Sequence, residues 1–219
     1  LFPDVPVVLG GIEASLRRLT HYDYWKDSLQ KCILCDSGAD MIIYGMGEKP
    51  IVELCRNLAE GLPISAVHNI PQTVYLCREK EIPNGIGDDD IVLHSYEECM
   101  REPRLHADNF RHVEEESNKL RAQRLLQQTG QQWVVVNPPF PPLTQEELDH
   151  SFDLPYTRLP HPKYKGKRIP AYEMIKFSVC MHRGCFGGCA FCTISAHPGL
   201  GLRPCIIYMF ALGPPRSLR

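Results

Sequence analysis

The sequence has no excess of basic charge. Its 24 lysines and arginines face 26 aspartates and glutamates, for a formal net charge of −2. A domain that grips nucleic acid usually presents a basic surface, so no nucleic-acid partner is read from this balance. The sequence also lacks an apolar run of about 18 residues, so no membrane span is expected. Its opening Leu1-Phe2-Pro3-Asp4 offers neither a positive n-region nor a long apolar h-region, and no secretory leader is expected. Ten cysteines in a short secreted chain would spell disulfides. Without a leader they point instead to free thiols in a reducing cytoplasm. Leu1 is no initiator methionine and a strand-like run follows almost at once, so the chain is expected to be a fragment.

What is present reads as α/β. Val5-Pro-Val-Val-Leu9 is a short apolar run closed by Gly10-Gly11, the pattern of a buried strand ending in a tight turn. A helical segment follows within 12–25, centred on Glu13 to Leu19. Gly38 to Tyr44 predicts a second strand, Gly45-Met-Gly47 a turn, and Pro50 to Glu60 a helix with Ile51, Leu54, Leu58 and Leu62 on one face. Gln72 to Cys77 and Ile91 to His94 predict further strands, separated by a loop over 83–90. Strand, turn, helix repeated in this way argues for a mostly parallel sheet with helices. In such sheets ligands sit beyond the carboxyl ends of the strands. Gly10-Gly11 and Gly45-x-Gly47 occupy those ends, as close turns alone or as contacts for a small molecule or phosphate. Cys32-x2-Cys35 is read as a structural pair, against a redox or metal-binding alternative. Cys55, Cys77 and Cys99 read as small core hydrophobes.

Residues 1–100 are therefore taken as a partial α/β domain, 101–170 as a connector and 171–219 as the start of another domain. In the connector, Asn109 to Thr129 predicts a long helix stopped by Gly130. Trp133 to Val136 is β-prone and Asn137-Pro-Pro-Phe-Pro-Pro142 stiffens the chain. Thr144-x-x-Glu147 is a capping box opening a short helix. His161 reads as a loop histidine. Glu173 to Val179 reads as a strand delivering the chain into the segment with the clearest chemistry.

That segment holds Cys185, Cys189 and Cys192 in a C-x3-C-x2-C spacing among Gly184, Gly187 and Gly188. Thiolates are soft ligands suited to iron–sulfur clusters and zinc. Glycines let the backbone turn tightly enough to aim three sulfurs at one centre. Three ligands on a four-iron cluster leave one iron open, whereas a structural zinc site closes with four. Zinc remains the alternative, with Cys180 or Cys205 as the fourth ligand of a non-catalytic binding module.

This spacing, with Phe191 before the last cysteine, resembles the signature of the radical S-adenosylmethionine (SAM) superfamily. The string Arg183 to Gly199 resembles the YgiQ family within it, as do Pro6 to Arg18 and Ile169 to Ile175. The resemblance implies a [4Fe–4S] cluster on Cys185, Cys189 and Cys192, SAM on the open iron, and Phe191 near the adenine. It implies an external electron donor and a small-molecule or macromolecular substrate that these residues do not identify. It also implies a (β/α) barrel beginning with the strand before the cysteine loop and, ahead of it, a domain similar to cobalamin-binding ones. The sequence has no Asp-x-His-x-x-Gly string to supply a lower-axial histidine, so cobalamin is not favoured. Only 27 residues follow Cys192, against about 250 for a complete barrel. The tail after Gly199 departs from the family's pattern, as a truncated or frameshifted end would. The chain is expected to lack most of the barrel and to be inactive alone.

Overall fold

The computed structural model describes residues 5–117, 119, 121–157 and 159–178. They fall into two compact units, 5–142 and 143–178.

The first unit is built on a six-stranded sheet. Its elements are β1 (Val8–Leu9), α1 (Gly11–Leu16), β2 (His21–Asp23), β3 (Ser28–Gln30), α2 (Ile33–Ser37), β4 (Met41–Ile43), α3 (Glu48–Ala59), β5 (Thr73–Cys77), β6 (Asp90–Leu93), α4 (Tyr96–Arg101), α5 (Pro103–Ser117), β7 (Arg124–Thr129) and β8 (Gln132–Val136). The strand order is β1-β4-β5-β8-β7-β6, while β2 and β3 form a separate antiparallel hairpin. The sheet is mixed. β1–β4 and β6–β7 pair in parallel, and β4–β5, β5–β8 and β7–β8 pair antiparallel. The parallel relationship expected from strand, Gly turn, helix and strand therefore holds for β1 and β4. Of the antiparallel pairs, β7–β8 is a two-residue hairpin, β4 reaches β5 through α3, and β5 and β8 are neighbours in the sheet but not in the chain.

Successive strand side chains point to opposite faces, and the core divides accordingly. Ile42, Val74, Leu125, Val134 and Val136 pack on one face with Ala14 of α1, Leu34 of α2 and Val113 of α5. On the other face Met41 and Ile43 meet Leu54 of α3, together with Val67 and Ile70. Tyr75, Leu126, Trp133 and Val135 form a second cluster there with Cys77 and Ile82. Fully burying an aliphatic side chain stabilises by about 1.5–3 kcal/mol, so this two-sided sheet is the main source of the unit's stability. The buried stripe of α3 is Pro50 and Leu54 with Leu58 packed beside them, spaced four apart, whereas Ile51 and Leu62 are exposed.

Several expectations are corrected. The helix read over 109–129 ends at Ser117, and 124–129 is strand β7. Leu125 and Leu126, taken as one helical stripe, fill opposite sides of the sheet. Gly130 is not a helix stop: at φ 59° it takes the first position of the two-residue β7–β8 hairpin loop, where type II′ geometry favours glycine. The helix read over 13–19 ends at Leu16, and the hairpin β2–β3 follows. Of the isolated cysteines, Cys77 and Cys99 are buried but Cys55 is exposed.

The second unit carries α6 (Gln145–Asp153) and α7 (Pro170–Ile175). The Thr144 hydroxyl accepts from the Glu147 amide at 3.2 Å and the Glu147 carboxylate accepts from the Thr144 amide at 2.8 Å, the expected capping box. Residues 173–175 are the end of α7 rather than a strand, because Pro170 at the first helical position presets the turn. Met174 and Phe177 are exposed; Val179 lies outside the described residues. His161 is exposed, and its Nδ1 accepts from the Lys163 amide at 3.1 Å. Among the described residues no helix is long and apolar enough to cross a membrane.

Candidate functional site

Cys185, Cys189, Cys192 and Phe191 lie outside the described residues, as do Cys180 and Cys205. Among the described residues no three His, Cys, Asp or Glu side chains are grouped to hold a metal ion. What the structure does build is a polar lattice where β1, β4 and β8 end and β5 begins.

The lattice starts in α1. Ser15 is fully buried; its hydroxyl donates to the Gly11 carbonyl at 2.9 Å and accepts from the Gly45 amide at 3.1 Å. Gly11 and Gly45 both hold positive φ, 87° and 70°, the conformation glycine adopts without steric cost. Gly47 serves close packing: a Cβ there would lie 3.3 Å from the Ile43 side chain. The Gly45 amide, a natural donor to a phosphate, is thus committed to Ser15. This arrangement favours the reading of Gly45-x-Gly47 as a close turn.

Gln72 ties the lattice together. It is buried and adopts φ 64° without being glycine. Its side-chain amide donates to the carbonyls of Tyr44 and Met46, its Oε1 accepts from the Phe140 amide at 3.3 Å, and its own amide donates to the Pro138 carbonyl at 2.8 Å. Asn137 donates to the carbonyls of His68 and Ile70, both at 2.9 Å, and the Tyr44 hydroxyl donates to the Asn137 carbonyl. Burial raises the Tyr44 phenol well above its ordinary range, so it stays a neutral donor.

Arg18 sits beside Tyr44, its guanidinium 5.0 Å from the ring centroid. It is only 3% exposed. It donates to the Ser15 carbonyl at 2.6 Å and to the Ser117 hydroxyl at 3.3 Å. Burial pulls its pKa below the usual arginine value. Its neighbour Arg17 pairs instead with Glu13 at 3.0 Å on the surface. Nothing in the sequence separates the two arginines; only the packing of α1 and α5 on the sheet does.

Cys32 and Cys35 open α2, with Cys32 fully buried and Cys35 partly so. A hydrogen bond between the thiols raises Cys32 well above the ordinary thiol range and lowers Cys35. Neither is in a disulfide.

Comparison with known proteins adds the family context. The Radical SAM N-terminal family matches residues 1–178. A UPF0313 protein of Bacteroides thetaiotaomicron is 65% identical over 210 residues, covering 91% of this chain and 34% of its own length. One from Porphyromonas gingivalis is 59% identical over 199 residues, covering 91% of this chain and 31% of its own. The UPF0313 protein YgiQ of Escherichia coli K12 is 39% identical over 247 residues, covering 90% of this chain and 33% of its own. The chain thus spans about one third of the length of these relatives. The E. coli match needs 247 aligned positions where a Clostridium botulinum relative needs 199 for the same 90% of this chain. Extra residues in YgiQ therefore fall inside the matched region. No solved structure matches the chain.

Proposed function

The chain belongs to the UPF0313 (YgiQ) family of radical SAM proteins, and from that membership we propose that the protein to which it corresponds binds a [4Fe–4S] cluster and SAM. The observation that carries the reading is the Cys185, Cys189, Cys192 spacing in a member of this family. The donor set fits the group chemically: three soft thiolates satisfy three irons and leave the fourth for a small molecule. When bound, the cluster supplies the electron that cleaves SAM to methionine and a 5′-deoxyadenosyl radical, which takes a hydrogen atom from the substrate. The chain's own residues hold the cluster through three sulfurs, let it approach through Gly184, Gly187 and Gly188, and offer Phe191 to the adenine. Cofactor-dependent enzymes generally divide the labour this way, the protein supplying binding, orientation and exclusion of solvent.

In this reading the cysteine loop opens a (β/α) barrel, and turnover belongs to the longer polypeptide, since this chain spans only 31–34% of the Bacteroides thetaiotaomicron and Porphyromonas gingivalis relatives. The electron donor is external, the compartment is a reducing cytoplasm, and the substrate is unassigned. The first unit resembles the domains found ahead of such barrels. Because the Gly45 amide is engaged by Ser15, the reading does not include cobalamin there.

Anaerobic reconstitution with iron and sulfide tests the proposal. The expected result is a broad brown absorbance, about four irons per chain, a spectral change on adding SAM, and loss of iron in Cys185→Ala, Cys189→Ala and Cys192→Ala. Cys180→Ala and Cys205→Ala should retain the cluster. Retention of zinc alone, or loss of metal in either of the last two variants, overturns the proposal in favour of a closed zinc site.

A further inference from the structure

The first unit contains a cleft between the α1–β2 turn, α5 and β7. It is open to solvent, and Arg18, Thr20, His106, Asn109, Phe110 and Gln127 contribute to its lining. Two of its polar side chains are fully used by the protein. Asn109 accepts from the His94 amide at 2.9 Å and donates to the His94 carbonyl at 2.8 Å. Gln127 accepts from the Thr20 amide at 2.8 Å and donates to the same His94 carbonyl at 2.9 Å. These bonds fix the wall of the cleft.

Three polar atoms of other lining residues are buried without a protein partner: Arg18 Nε, Thr20 Oγ1 and His106 Nδ1. Buried polar atoms are nearly always satisfied, and each exception calls for an explanation. Here three such atoms come from residues lining one cleft, and one belongs to a guanidinium that is 3% exposed. Among the described residues no carboxylate pairs with Arg18. A buried charge without a counter-charge is costly, and an anion is what relieves it. Nε and a hydroxyl are both donors, and an imidazole nitrogen either donates or accepts. That set matches oxygen acceptors.

We propose that this cleft binds the oxyanion group of a small ligand, a phosphate or a carboxylate, through Arg18, Thr20 and His106. Arg18 supplies the charge, Thr20 Oγ1 a rotatable donor, and His106 a neutral ring contact, since burial lowers its pKa. Phe110 lines the cleft from α5 and is partly exposed. A non-polar portion of the ligand is accommodated there. The proposal uses none of the cysteines Cys185, Cys189 and Cys192, so it is tested independently of cluster binding.

The test is thermal unfolding of the full 219-residue chain with inorganic phosphate, sodium acetate or sodium chloride at matched ionic strength. Phosphate or acetate should raise the melting temperature saturably, and chloride should not. A response to phosphate alone assigns a phosphate-bearing ligand, and a response to acetate alone a carboxylate. Thr20→Val removes a hydroxyl that no protein group uses, so the fold should survive while affinity for the responding anion falls about tenfold, roughly 1.4 kcal/mol. Arg18→Met should abolish the response. If Arg18→Met does not fold, Thr20→Val and His106→Ala decide. Equal shifts with chloride, no shift at all, or wild-type anion affinity in both Thr20→Val and His106→Ala overturns the proposal and leaves the cleft to water.

Discussion

Arg124 grips Asp90 with both arms of its guanidinium, Nε to Oδ1 at 2.8 Å and Nη2 to Oδ2 at 2.6 Å, across the first register pair of the parallel strands β6 and β7. The remaining donors reach the Pro83 carbonyl at 3.1 Å and the Gly85 carbonyl at 2.8 Å. One side chain thus fixes strand register and closes the 83–90 loop. The carboxylate side chain is 8% exposed and the guanidinium side chain 19%, so the pair is shielded well enough for a bidentate contact to matter. Asp90→Asn should destabilise the first unit by about 2–3 kcal/mol, read by urea unfolding. Arg124 holds the Asp90 carboxyl below the ordinary aspartate range. A depressed carboxylate contributes fully above its unfolded pKa, about 3.9, and that contribution is lost as pH falls through the lower folded value. Wild type should therefore lose stability in that acid window relative to Asp90→Asn. An unchanged gap between the two proteins from pH 7 to pH 2 contradicts the assignment.

Gln72 offers a test that separates backbone strain from side-chain bonding. A non-glycine residue in the left-handed region is strained by roughly 1–2 kcal/mol, and φ at Gln72 is 64°. Its side chain bridges Tyr44, Met46 and Phe140. Gln72→Ala keeps the strain and removes the bridges, for an expected loss of about 2–4 kcal/mol. Gln72→Gly removes the bridges but relieves the strain, and should be about 1 kcal/mol more stable than the alanine variant. Alanine equal to or better than glycine in chemical denaturation rules out the strain.

How much of this was legible in the sequence varies by element. β1, β4, β5 and β8 are short apolar runs closed by glycine, proline or polar residues, and all appear near their expected places. The capping box at Thr144 and the four-residue spacing of Leu54 and Leu58 gave α6 and α3 directly. β7 was hidden because Leu125-Leu126 follows a charged helical stretch without a proline or glycine between them. Its strand state comes from pairing with β6 and β8, which no local pattern encodes. The start of α4 was readable: Ser95-x-x-Glu98 is a second capping box, with the Glu98 carboxylate accepting from the Ser95 amide at 2.7 Å. The cysteine spacing lies outside the described residues, so its reading rests on the sequence and the family. The buried state of Arg18 had no local signal, because Arg17 and Arg18 are identical side chains whose difference arises only when α1 packs on the sheet.

The β7–β8 loop provides a local test of turn chemistry. A Cβ at Gly130 would meet no atom within 4 Å, so any penalty for a side chain comes from its φ of 59°. Gly130→Ala should cost about 1–2 kcal/mol. Gly130→Asn should cost less, because asparagine tolerates the left-handed region better. Melting temperatures of the two variants decide the matter. Equal costs mean that the loop adjusts its backbone rather than holding the observed conformation.

The Cys32–Cys35 pair makes a prediction about reactivity. In thioredoxin-like motifs one cysteine of C-x2-C is an accessible thiolate. Here the roles are set by burial: Cys32 is fully enclosed, whereas Cys35 is partly exposed and stabilised as thiolate by the hydrogen bond from Cys32. Thiolate rather than thiol is the nucleophile, so iodoacetamide at pH 8 should modify Cys35 well before Cys32, as followed by peptide mapping. Cys32→Ala removes the donor that lowers the Cys35 pKa and should slow Cys35 alkylation severalfold near neutral pH. At pH 10, where an ordinary thiol is already ionised, that difference should shrink, which separates the electronic effect from a change in access. Faster labelling of Cys32, or a Cys32→Ala effect of the same size at both pH values, means that Cys32 does not lower the pKa of Cys35.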